Sequence, residues 1–304
     1  MAIRFDDIGK RLRAFRLDRQ LTAEQIAERL GVSRAAVYRI ESGDVVKIDT
    51  LERLAEVLET STASLLGFGM EYYASPVAYF ERMRQVEEQS DQVIAHFPPL
   101  SYLLTSDQYS DYLRKTLIEA LPANGEERAK AEAEVDTILS ILDERKKARR
   151  RRGLSVVNFV TLPEIERSLK IGIIGHFAIP EDELLARRRA ARDEVEHLIH
   201  LIRSEPMGVQ IGLIEETLPT VAFQLFRTAD RTCLGISPFR LGGELPNVRI
   251  GVAMLTAEEQ PVRMYEQIAN DLWRRAHKGA DAIALLQAVL LRSGIDGAPV
   301  RAAS

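Results

Sequence analysis

Four residues within Leu21 to Gly43, LTAEQIAERLGVSRAAVYRIESG, have the chemistry to read the edge of a nucleic-acid duplex: Arg34, Ala35, Tyr38 and Arg39. An arginine can bond guanine through two parallel hydrogen bonds, and an alanine methyl can touch the methyl of thymine. Their spacing places all four on one side of a short helix whose other side, Ala36, Val37 and Ile40, is apolar. The elements that must hold that helix are written around it. Thr22 and Gln25 stand at capping-box spacing, so each can satisfy an orphan donor of the other. Ala23, Ile26, Ala27 and Leu30 mark a buried face, Gly31 can end that helix with a left-handed backbone, and Ser33 can cap the next. The connection is about three residues long, as a helix-turn-helix requires. Small side chains at Ala27 and Val37 let the two helices cross closely.

The segment AEQIAERLGVSRAAVYRIESG resembles the XRE, or lambda repressor/Cro-like, DNA-binding domain. The likeness rests on Ala27, on Gly31-Val32-Ser33 and on Ile40-Glu41-Ser42-Gly43, and covers roughly residues 6 to 67. It implies an all-α, five-helix N-terminal domain. It also implies that Lys10, Arg11, Arg13, Arg16, Arg34 and Arg39 lie toward DNA. The expected DNA-binding set is Arg34, Ala35, Tyr38, Arg39, Thr22, Ser33, Lys47 and Arg11, with Lys47 in a polar loop where it could meet a phosphate. Charge is sorted along this region: residues 1–40 carry 9 Lys/Arg against 5 Asp/Glu, and residues 41–66 carry 2 against 6. The basic segment would supply salt-dependent phosphate contacts, although the net charge of −4 argues against non-specific nucleic-acid binding by the whole molecule.

The rest of the head follows from periodicity. Phe5 to Arg19 predicts a first helix with Ile8, Leu12 and Phe15 on one face. Asp49 can cap a fourth helix with Leu51, Leu54, Ala55 and Leu58 inward, and Ser61 or Thr62 starts a short fifth closed by Gly67. The domain therefore spans 1–67. GFGMEYYASP then has the glycines and terminal proline of a linker, 68–76. Residues 77–152 predict a helical connector: Ser75 to Phe97, Tyr102 to Leu121, and Asn124 to Arg152. It is a candidate dimerisation region or, equally, packing within one subunit. The run RKKARRRR, Arg145 to Arg152, suits a solvated helix C-terminus or a second anion contact.

From residue 154 the period changes to that of strands. SVVNFV, GIIGHFAI, VQIGLI, TVAFQLF, TCLGIS and VRIGVAML are short Val/Ile/Phe-rich runs between turn residues. A helix over 181–203 interrupts them and two more follow, over 261–278 and 280–293. The fold class is multidomain, with an α+β C-terminal domain at 153–295 and a disordered tail at 296–304. The strand order, the hairpin around Ala229-Asp230-Arg231 and the terminal LeuTrpArgArgAla helix resemble the last third of phospholipase D-like domains. None of the five histidines stands in the His-x-Lys motif of those enzymes, so the resemblance implies a non-catalytic sensor.

Chemistry beyond DNA reading is sparse. His197 and His200 lie on one predicted helix face with Glu194, but no further ligand cluster accompanies them and the His-Glu-x-x-His arrangement is absent. No phosphate loop, nucleophile elbow or self-cleavage dipeptide is present. No enzyme, metal or cofactor is therefore expected. The single cysteine, Cys233, excludes an intramolecular disulfide and reads as a small buried hydrophobe. No run approaches the ~18 apolar residues that span a bilayer, and the N-terminus lacks a signal segment. A cytoplasmic protein without a membrane partner is expected. The irregular loop SPFRLGGELPN, Ser237 to Asn247, offers an effector site: Phe239 for an apolar group and Arg240 for an anionic one, flanked by Arg231 and Arg249. These features predict a transcriptional regulator, a repressor in preference to an activator. It would bind a double-stranded DNA operator as a homodimer under control of a small-molecule effector, an anionic one if Arg240 receives it. The alternatives are an antitoxin-like interaction module that controls its own operon and an enzyme with an appended DNA-binding head.

Overall fold

The computed structural model describes residues 5–44, 47–121, 126–174, 178–216, 221–242 and 246–294. Its head consists of α1 (Phe5–Asp18), α2 (Ala23–Leu30), α3 (Arg34–Glu41), α4 (Ile48–Val57) and α5 (Thr62–Leu66). Ile8, Leu12 and Phe15 of α1, Ile26 and Leu30 of α2, Val37 of α3, Leu54 of α4 and Leu65 of α5 are all buried. Gly9 decides how α1 meets α3. A Cβ there would collide with the carbonyl oxygens of Ile40 and Glu41, so only glycine lets the two backbones touch.

The body is built on one seven-stranded mixed sheet, in the order β1-β7-β6-β5-β2-β3-β4. The strands are β1 (Met70–Tyr73), β2 (Gln92–His96), β3 (Ser155–Thr161), β4 (Val209–Ile214), β5 (Ala222–Arg227), β6 (Thr232–Ser237) and β7 (Ala253–Thr256). Strands β2, β3 and β4 are parallel, and the remaining pairings are antiparallel. The helices are α6 (Pro76–Glu87), α7 (Tyr109–Glu119), α8 (Glu126–Arg152), α9 (Leu162–Ile171), α10 (Glu181–Ser204), α11 (Glu259–Arg275) and α12 (Gly279–Arg292). Alternation along the strands divides their side chains between two faces. Val156 and Val160 pack with α9, α10 and α12, while Val157, Phe159, Phe223 and Leu225 pack with Val262, Ala269 and Leu272 of α11. No described helix is long and apolar enough to cross a membrane.

Several sequence expectations change. The stretch 68–76 is not a linker, because Met70–Tyr73 is an edge strand paired along its length with Ala253–Thr256. Nor is 77–152 a separate connector. Gln92–His96, which periodicity assigned to a long helix, lies inside the sheet between β3 and β5. Five residues are too few for a period to show, and pairing on both sides outweighs any helical tendency. The apolar stripe of α8 (Val135, Ile138, Leu139, Leu142) is buried within the same chain, which removes the argument for dimerisation there. The expected strand at GIIGHFAI is absent over its described part: Gly172, φ 78°, ends an unexpected helix, α9, and Ile173 and Ile174 are irregular. Its His176 and Phe177, and the tail 296–304, lie outside the described residues.

Head and body share one continuous apolar core, running from Leu12, Phe15 and Leu65 to Tyr73, Phe80 and Leu255. Phe15 stacks on Tyr73 with ring centroids 5.2 Å apart, and α1 lies along α6.

Candidate nucleic-acid interface

The reading unit is assembled by caps. Thr22 Oγ1 accepts from Gln25 N at 3.2 Å while Gln25 Oε1 accepts from Thr22 N at 2.8 Å, completing the capping box. Gly31, φ 70° and ψ 34°, ends α2 in the left-handed region, where a residue without Cβ is at ease. Ser33 Oγ accepts from Ala36 N at 3.1 Å and starts α3. Two arginines brace the unit from behind. Arg16 grips the Glu41 carboxylate at 2.6 and 3.1 Å and the Leu21 carbonyl at 3.1 Å, joining the end of α3 to the start of α2. Arg53 donates to the Leu30 carbonyl at 2.8 Å.

The outward face is Arg34, Ala35, Tyr38 and Arg39, all exposed. The Arg34 side chain is 59% and that of Arg39 71% exposed, so neither guanidinium is covered by the body. Arg34 is ordered by neighbours on its own side: Glu24 at 2.5 Å and the Tyr38 hydroxyl at 3.1 Å, with its guanidinium 5.3 Å from the Tyr38 ring. Arg39 stands 3.8 Å from Asp44. Such exposed pairs contribute about 0–1 kcal/mol, so a phosphate or a guanine edge can displace the carboxylates. Thr22 and Ser33 are exposed at the N-termini of α2 and α3, and Lys47 is exposed at the start of α4. Helix N-termini present backbone N–H groups and a positive dipole end to anions.

Arg11 does not belong to this face. It is 4% exposed, and its Nε donates to Glu71 Oε1 at 2.8 Å. Glu71 also accepts from Arg82 Nε and Nη2, at 2.8 and 3.0 Å, and from the Tyr73 hydroxyl at 2.7 Å. Burial by itself would raise the Glu71 pKa, but Arg82, Arg11 and Tyr73 outweigh it and hold the carboxyl at about 2. Arg11 therefore clamps the head to β1 and α6. Its partner is 60 residues away in the chain, so no local pattern pointed to it. Arg16 is engaged with Glu41, and Arg13 lies beside Glu81 at 3.8 Å.

The expected effector residues do not converge. Phe239 is fully buried, 6.2 Å from the Tyr79 ring. Arg240 stands 3.6 Å from Glu164 of α9, Arg231 reaches back to Asp7 of the head at 3.4 Å, and Arg249 is exposed on a turn held by Asn247. Gly243, Glu244 and Leu245 of that loop lie outside the described residues. The Arg145 to Arg152 run serves mainly as a staple. Arg145 pairs with Glu87 at 2.6 and 2.7 Å, Lys146 donates to the Ser106 carbonyl at 2.7 Å, Arg150 pairs with Asp107 at 2.7 Å, and Arg152 donates to the Glu87 carbonyl at 3.0 Å. Lys147 and Arg151 remain exposed. Among the described residues no group of three or more His, Cys, Asp or Glu side chains could hold a metal ion.

Residues 7–66 match the sequence model of the helix-turn-helix domain family, a span that closes with the last residue of α5. The chain is also similar to the HTH-type transcriptional repressor RghR of Bacillus subtilis (strain 168), with 34% identity over 88 residues. That alignment takes in 27% of this chain and 65% of the repressor, just under two thirds of its length. Residues 7–66 are thus a helix-turn-helix domain, in which α2, a three-residue turn and α3 follow one another.

Proposed function

We propose that the chain is a sequence-specific DNA-binding transcriptional regulator that acts through this helix-turn-helix domain. The observation that carries the reading is the α3 face, where two exposed guanidiniums, an alanine methyl and a tyrosine project from a helix braced on its other side. Helices of this kind lie in the major groove, and paired copies read two half-sites about one helical turn apart. We therefore read the protein as a homodimer on a near-palindromic operator. We take repression as its direction, in keeping with the similar B. subtilis repressor. Control by a small-molecule effector belongs to the sheet body, and no catalytic role is assigned. Because α1 is packed on α6 and β1, an effector would act by changing how two bodies, with their attached heads, are placed. It can do so only as far as it prefers one placement over the other.

The test uses the full chain and a duplex selected from random double-stranded DNA. Replacing Arg39 with alanine should weaken binding to the selected duplex by about 1–3 kcal/mol and leave binding to a scrambled duplex nearly unchanged. Equal losses on both would make Arg39 a phosphate contact. Absence of duplex binding at low ionic strength would overturn the reading.

A further inference from the structure

Among the described residues, α11 is the helix packed on the sheet face that holds Phe159 and Phe223. It crosses from β6 over β5 to β4, with the Tyr265 ring 5.1 Å from Phe223 and the Trp273 ring 6.4 Å from Phe159. The strand register carries Phe223 across that face to Ile236, Met254 and Tyr72. This row outruns the helix. Ile236 and Met254 are half-buried, and Tyr72 is more than half exposed, as is Val252, two residues before Met254. On the Tyr265 side of α11, Met264 and Ile268 stand one turn apart and exposed, while Glu266 on the other side is tied to Arg227 at 3.1 Å. An apolar ridge therefore borders an open apolar corner of the sheet. Leu185, Met207 and Leu291 are exposed as single residues on other elements, which is ordinary for a surface; a contiguous patch marks an interaction site.

We propose that this corner is the interface with a second copy of the chain. The homodimer itself rests on the regulatory reading above, and the interface lies here because the stripe of α8 is buried within one chain. Two features select a second copy over an unlike partner. The patch holds both a ridge and a corner, so a twofold axis seats the ridge of each copy in the corner of the other. It is also complementary to itself in charge. Running α11 antiparallel to its mate with Met264 opposite Ile268 brings Glu258 opposite Arg275, because the midpoints of the two pairs, positions 266 and 266.5, nearly coincide. Glu258 and Arg275 are both exposed, and the present pairing of Arg275 with Glu216 is exposed on both sides, hence weak and exchangeable.

The experiment is sedimentation equilibrium of the full chain. The parent should sediment at twice the mass of one chain. Met264→Glu combined with Ile268→Glu should raise the dimer dissociation constant by about a hundredfold, since each buried apolar contact is lost twice across a twofold axis, and should weaken binding to the selected duplex. Leu291→Glu, at an exposed position on α12, should change neither. Glu258→Arg and Arg275→Glu should each weaken the dimer by about tenfold, and the two together should restore it. Melting temperatures report whether each variant folds, and the charge reversals carry the test if the Met264 and Ile268 variant does not. A parent that is monomeric at the highest concentration measured would overturn the interface together with the homodimer reading. A dimer unchanged by Met264→Glu with Ile268→Glu would overturn the interface and leave that reading standing, and failure of the double reversal to restore the dimer would overturn the antiparallel pairing. A dimer lost in that variant, from a parent that binds no duplex, would support the interface and remove the regulatory reading.

Discussion

Arg34 and Arg39 on α3 and Arg11 and Arg16 on α1 are four copies of one side chain within a single small domain, and the structure puts them to opposite uses. The first two are more than half exposed beside carboxylates that hold them loosely. The second two are buried or nearly so, each locked to a glutamate, Glu71 or Glu41, at 2.6–2.8 Å. The same guanidinium stays available where its partner is exposed and becomes a clamp where its partner is buried. The medium, more than the residue type, sets the strength of the pair.

The largest break in that contrast should come from Glu71→Ala, which leaves Arg11 and Arg82 as buried cations without their acceptor. A loss of about 3–5 kcal/mol in unfolding free energy is expected, measured by urea titration of the full chain. The pH dependence follows from the same carboxyl. Its folded pKa is depressed from 4.5 to about 2, so its contribution is present above the unfolded value and is lost as pH falls from about 4.5 toward 2. Glu71→Gln should lack that portion of the acid loss, and an identical acid profile in the variant would contradict the clamp. Next is Gly9→Ala, where the added methyl must push α3 from α1; about 2–3 kcal/mol of destabilisation is expected. On the reading face the effects reverse. Arg34→Ala should cost about 1–2 kcal/mol in binding the selected duplex while thermal unfolding gives a stability within about 0.5 kcal/mol of the parent. A large stability loss would place Arg34 with the clamps. The smallest change is expected from Lys47→Ala, which should weaken all duplexes alike and lower the salt slope of binding by about 1. A sequence-selective loss there would make Lys47 a reader.

The head was legible because its instructions are local. Thr22 to Gln25, Gly31 and Ser33 to Ala36 each act across three residues or fewer, and each is found in its expected cap. The body was only partly so. SVVNFV, VQIGLI and TCLGIS announce their strands, but MEYY and QVIAH are too short to display a period and become strands through pairing with residues about 180 and 60 positions away. The loop at 237–247 lies beside a crevice, yet it lines that crevice with Gly242 and not with Phe239 or Arg240.

By itself the sequence determined the helix-turn-helix, its caps, and which face of α3 turns outward, since these depend on backbone donors and side-chain periodicity within a few residues. Only the tertiary structure decided that Arg11 clamps while Arg39 is available, that the supposed linker is a sheet edge, and where a crevice remains. Those outcomes depend on which distant groups share a low-dielectric interior, and burial is a property of the packed chain and not of any segment of it.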